Sequence, residues 1–149
     1  MASSYYVNVS MVIWNLKVMV CGSIGYGGVD EIRRLYKVLK EKKYDIVDHL
    51  VEKGMDYSDT NDFRDKKDLC REIVNHDLEY VNKSDVLVVL ANSPSYGTAM
   101  EMLIAKNIGK KVILLAKEPI PTPWPINFSD FIVKDESELI KLLAKLKGG

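Results

Sequence analysis

The chain has 149 residues, 47% hydrophobic and 28% charged, with 21 basic side chains against 21 acidic ones. That length suits one domain with a proper core, and a formal charge of zero argues against a nucleic-acid polymer or a membrane surface as partner. Two cysteines and two histidines without metal-type spacing argue against a zinc site, and no cofactor is expected.

In chain order, residues 1–16 read as an N-terminal extension able to add an edge strand, with no basic n-region and no cleavage site. One α/β domain is expected over 17–149. Lys17 to Cys21 is a short apolar run stopped by glycines, a buried strand, in which Cys21 reads as a reduced cytosolic thiol. Val29 to Lys42 places Ile32, Leu35, Val38 and Leu39 at helical spacing, and Tyr44 to Val47 is a second strand. Met55 to Asp65 is polar and irregular, a loop of the length that often carries function. Lys66 to Lys83 is a helix, Asp85 to Ala91 a strand, and Thr98 to Asn107 a helix ended by Gly109. A strand from Lys111 to Ala116 follows. The proline-rich "EPIPTPWPINF" is expected to lack regular structure. A strand from Asp130 to Val133 and a helix from Glu136 to Lys147 close the chain. No stretch reaches the roughly 18 apolar residues of a membrane span.

This alternation predicts a doubly wound α/β fold, flavodoxin-like or Rossmann-like, with a five-stranded parallel sheet in the order 2-1-3-4-5 and helices on both faces. In that order strands one and three are neighbours whose following helices leave to opposite faces. A crevice opens at their carboxyl ends. Two loops then line it, "GSIGYGG" and "NSPSYG".

Gly22, Ser23, Ile24, Gly25, Tyr26, Gly27 and Gly28 form the first loop. Glycines there admit a ligand to the backbone, and the helix start that follows favours an anion such as phosphate. The spacing fits neither the P-loop nor G-x-G-x-x-G, and a plain tight turn explains it equally. Asn92, Ser95 and Gly97 come from the second loop. Two acids stand out. Asp77 falls in the middle of the apolar arc made by Leu69, Cys70, Ile73, Val74, Tyr80 and Val81, while His76 and Glu79 fall on the outer, solvated side. Glu101 is the one charged residue between Ala99 and Ala105, in a helix apolar enough to belong in the middle of the protein. A carboxylate in such a place needs a partner or a purpose. For Asp77 that is a structural hydrogen bond or catalysis. For Glu101 it is a capping box with Thr98 as N-cap, or catalysis. Paired carboxylates are what glycosidic bond cleavage uses. Asp85, at the opposite end of its strand, reads as structural, and Trp124 and Tyr96 as packing or as stacking surfaces for a base.

Together, "CGSI" with a following Gly-Gly and acid, "IVNHDLEYVNKSDVLVVLANSPSYGTAMEM" and "GKKVILL" resemble the nucleoside 2-deoxyribosyltransferase superfamily. The nearest branch is that of the 2′-deoxynucleoside 5′-monophosphate N-glycosidases. The most specific element is D-L-x-x-[apolar]-x-x-[polar]-D followed by P-S-x-G-x-x-x-E, and the resemblance spans Lys17 to Leu115. It implies Glu101 as the nucleophile on C1′ and Asp77 as a second catalytic carboxylate assisting departure of the base. It also implies a small nucleotide or nucleoside as partner, and a homodimer or larger assembly in which a neighbour completes each site through Thr122 to Asp130. Serine at Ser95, where transferases of free nucleosides carry an acid, implies a 5′-phosphorylated substrate. Two positions depart from the family: Met19 stands where a tyrosine is usual, and Gly25 where the hydrolase branch has arginine, with Tyr26 as an insertion.

Three other readings compete. One is a deoxyribosyltransferase that passes the sugar to a second base. Another is a cytokinin-releasing phosphoribohydrolase, whose P-G-G-x-G-T-x-x-E this chain meets only in Gly97 to Glu101. The third is a nucleotide sensor without turnover, which Met19 and Gly25 would suit.

Overall fold

The computed structural model describes residues 15–148. Five strands, β1 (Lys17–Cys21), β2 (Asp45–Ile46), β3 (Val86–Leu90), β4 (Lys111–Leu115) and β5 (Phe131–Val133), form one parallel sheet in the order β2-β1-β3-β4-β5. The expected doubly wound order is therefore observed. Four helices connect them and a fifth follows the last: α1 (Val29–Glu41), α2 (Lys67–Lys83), α3 (Tyr96–Asn107), the short α4 (Trp124–Asn127) and the C-terminal α5 (Glu136–Leu146). The extension expected over 1–16 lies almost wholly outside the described residues, although Leu16 is a buried core residue.

Period-2 alternation splits the strands between two cores. Val18, Val20, Val86, Val88, Ile113 and Leu115 face α1 and α5. Met19, Cys21, Leu87, Val89, Val112 and Leu114 face the other way, where Val81 of α2 and Met102 and Ala105 of α3 pack. The α2–α3 face thus holds both unusual acids and the Cys21 thiol.

Four local expectations are corrected. The strand expected from Tyr44 to Val47 is only Asp45–Ile46. Its pairing with β1 ends where the hydroxyl of Tyr36 inserts: Val20 N–H donates to it at 2.9 Å, and it lies 2.9 Å from Val47 O and 2.9 Å from His49 Nδ1. A phenol has replaced the next rung of the ladder. Within the proline-rich run, Trp124–Asn127 form one helical turn, because proline is tolerated in a first turn, whose N–H groups have no intrahelical partner. The capping box does not form. Helix α3 begins two residues earlier, at Tyr96, and Ser95 is its N-cap, accepting from Thr98 N–H at 3.4 Å. Lastly, α3 is not enclosed: Met100 and Leu103 are exposed, as is Val74 of α2, which the apolar arc had placed in the core.

Candidate active site

The crevice forms where β1 and β3 end side by side, Cys21 opposite Val89. After β1 the chain turns at once. Gly27 N–H donates to Ile24 O at 3.2 Å, and Gly27 and Gly28 have φ of 82° and 123°. A Cβ on Gly28 would lie 2.6 Å from the Ser23 carbonyl oxygen, so only glycine closes this turn into α1. Of the other loop residues, Ile24 is buried in the core and Tyr26 is 73% exposed. Ser23 is buried with its hydroxyl unpartnered, as is Thr98 in the first turn of α3. Buried hydroxyls are nearly always satisfied, so these two stand out, one in the first crevice loop and one at the start of the helix behind the second. The Ser95 hydroxyl, occupied as an acceptor, still has its own proton to donate. Gly97 stands beside the nucleophile candidate, and a Cβ there would lie 3.8 Å from Glu101 Oε1. Asn92 is exposed at the crevice rim.

Glu101 points into the sheet. Its Oε2 accepts from the Cys21 thiol at 3.4 Å. Burial, then the neighbouring Asp77 charge, raise the Glu101 carboxyl to about 8, against a small opposing effect of the thiol. Cys21 is itself held well above its ordinary value, first by burial and then by Glu101, so it stays a protonated donor. Asp77 is raised by burial, and contact with His76 works against that rise. The Asp77 charge thus makes loss of the Glu101 proton more costly.

The structure thus brings Asp77 and Glu101 together, and adds three groups that the sequence reading passed over. From its strand position Cys21 reads only as a reduced cytosolic thiol. His76 was placed on the solvated side, yet its side chain is 9% exposed and Nδ1 lies 3.2 Å from Asp77 Oδ1. Tyr57 comes from the long loop 47–66 and lies above Gly25, where a Cβ would be 3.9 Å from its ring. Burial, Asp77 and Glu101 raise its phenol to about 12, so it is a neutral hydroxyl near both acids. Phe63 packs edge-on against it at 5.7 Å, and an Arg33–Asp56 ion pair ties the same loop to α1.

A cavity of about 600 Å³ lies next to the crevice, lined by Asn92, Ser95, Met100, Leu103, Trp124 and Phe128 among others. Neither Glu101 nor Asp77 lines it, so its size says nothing about the chemistry. Among the described residues no helix is long and apolar enough to cross a membrane.

No protein-family model matches the chain, and no curated protein matches it in sequence. In fold it is similar to a 2-deoxyribosyltransferase from the psychrotolerant bacterium Bacillus psychrosaccharolyticus, with a TM-score of 0.63 and 15% identity over 83% of this chain and 89% of that one. At that identity the likeness establishes the doubly wound fold. A CMP N-glycosidase of Clostridium botulinum, BcmB, aligns at a TM-score of 0.49 with 20% identity over 85% of this chain and 97% of that one, too low a score to argue from.

Proposed function

We propose that the protein belongs to the nucleoside 2-deoxyribosyltransferase superfamily and cleaves the N-glycosidic bond of (2′-deoxy)nucleoside 5′-monophosphates. The observation that carries this reading is the buried carboxyl pair. Glu101 and Asp77 come from different helices to one crevice, close enough for the Asp77 charge to help hold the proton on Glu101, and a carboxyl pair of this kind is what acid-assisted glycosyl transfer uses. In the free pair the proton rests on Glu101, and it passes to Asp77 when substrate binds, which leaves Glu101 ionised. As the C1′–N bond breaks, its electron pair goes to the base nitrogen, which takes that proton from Asp77, and Glu101 bonds to C1′. Water then attacks C1′, releases Glu101 and returns its proton to Asp77. The Cys21 thiol orients Glu101, and Tyr57 supplies the hydroxyl that Met19 lacks. Ser23, Ser95 and Thr98 provide donors for the 5′-phosphate.

Gly25, where the hydrolase branch has arginine, favours a second reading. Without that cation the phosphate is held less firmly, and a deoxyribosyltransferase moving deoxyribose between free bases fits the same pair. The assembly is proposed to be a homodimer or larger, with α3 and the Thr122 to Asp130 segment at the interface, acting in the cytoplasm. Separation of free base from the four deoxynucleoside monophosphates, AMP and deoxyadenosine, with and without acceptor base, tests these readings. Base release that Glu101→Ala abolishes is expected. A new nucleoside formed only with acceptor would select the transferase, and binding without turnover would select a sensor.

A further inference from the structure

His76 is the buried group beside the acids that this reaction leaves unused. Neighbouring residues on a helix project about 100° apart, so the ring reaches Asp77 only by leaning along α2. Three contacts hold it there. Nδ1 is 3.2 Å from Asp77 Oδ1, the ring lies 4.4 Å from that of Tyr80, and Nε2 is 2.9 Å from Glu52 Oε2. The last is an ion-pair contact whose N–H is not aligned as a hydrogen bond. Glu52 belongs to the same loop as Tyr57, so one segment both holds His76 and brings a phenol near the two acids. The titratable groups near the ring are Asp77, Glu79 and Tyr80 on its own helix, and Glu52 and the buried neutral His49 from the loop. Beyond Asp77 lie Glu101, Cys21 and Tyr57.

We propose that His76 is a positioning residue: held from behind by Glu52, it pins Asp77 Oδ1, so that the proton passed to the departing base is carried on Oδ2. The inference rests on the glycosidase or transferase reading of the pair. A ring nitrogen fixed on one side by a carboxylate sets what the other can offer, and a pinned oxygen leaves a single one to exchange. Loss of the ring removes the effect that opposes the rise of Asp77 by burial. The doubly protonated, inactive pair then persists to higher pH.

The test is the pH profile of base release in His76→Leu, alongside titration of the Asp77 side-chain carbon by ¹³C NMR. The acid limb of kcat/KM and the carbon midpoint are both expected to move up by about one pH unit. His76→Asn, whose amide can donate from the place of Nδ1, should return most of the shift. An unmoved limb with an unmoved midpoint in a folded His76→Leu would overturn the proposal. If that variant folds poorly, Glu52→Gln frees the far nitrogen at an exposed site, and the same two readouts decide in the same way. A wild-type protein that releases no base from any substrate defeats the reaction reading instead, and the carbon titration then decides whether His76 governs Asp77.

Discussion

Glu101 costs the fold something, and the sign of that cost can be worked out. Its carboxyl is raised from 4.5 to about 8. Below pH 4.5 it is protonated in both the folded and unfolded chain, and contributes no difference. Between 4.5 and 8 the unfolded chain releases the proton while the folded one keeps it, so stability falls as pH rises, and above 8 the loss is complete. Glu101→Gln, which needs no proton, should therefore leave stability unchanged near pH 4 and raise it at pH 8.5 by roughly 2–4 kcal/mol; thermal melts across that range read it as a Tm that rises only at the higher pH. Cys21→Ala removes the donor on Oε2 and should lower kcat about tenfold, a 1.4 kcal/mol effect, with KM nearly unchanged, while Cys21→Ser retains a donor and most of the rate. Steady-state kinetics separate the two. The acids were legible in the sequence because a charge inside an apolar pattern is conspicuous. Cys21 and His76 were not. An apolar-looking thiol in a strand carries no mark of what faces it from a helix 80 residues away, and periodicity describes where a side chain leaves the helix, not where it leans.

The elements were readable in number, kind and order, since each carries its own period and ends at glycine, proline or a polar break. Their ends were decided by contacts that no local pattern contains. Ser95 outcompeted Thr98 as N-cap because the extended backbone at Ser95 aims its oxygen at a free N–H. Strand β2 stopped short because of Tyr36, sixteen residues from the strand residue whose N–H it takes. Tyr36→Phe would leave Val20 N–H and His49 without that partner inside the protein, and should destabilise by about 2–3 kcal/mol, seen as a lower denaturant midpoint with an unchanged m-value. Gly28→Ala has a harsher expectation. With the Ser23 carbonyl in its way and φ at 123°, the turn must open, and loss of nucleotide binding should accompany a loss of about 1–3 kcal/mol.

For the whole molecule, the two cores are closed and one outer face is not. Met100 and Leu103 of α3 and Ile108 just after it are exposed, as are Trp124, which lines the adjoining cavity, and Ile126. An apolar patch of this kind rimmed by polar residues marks a contact surface. A second copy of the chain is the proposed occupant, and Leu103→Glu should convert a dimer or larger species into a monomer on light scattering. If a neighbour completes the site, activity at low protein concentration should fall with it. The run of apolar residues in α3 had suggested a helix deep inside one chain. The same run serves equally a helix half inside and half against a partner, and composition does not distinguish them.

The phenol between β1 and β2 has one more consequence. Because Tyr36, rather than a further amide pair, closes that edge of the sheet, strand register is set before the chain departs into residues 47–66. The scaffold and its roof are thus separate inheritances. His49 and Leu50 belong to that scaffold, so a roof of another length, with other aromatics near the acids, could be grafted between Leu50 and Lys67 while β1, and the thiol at its end, stays where it is.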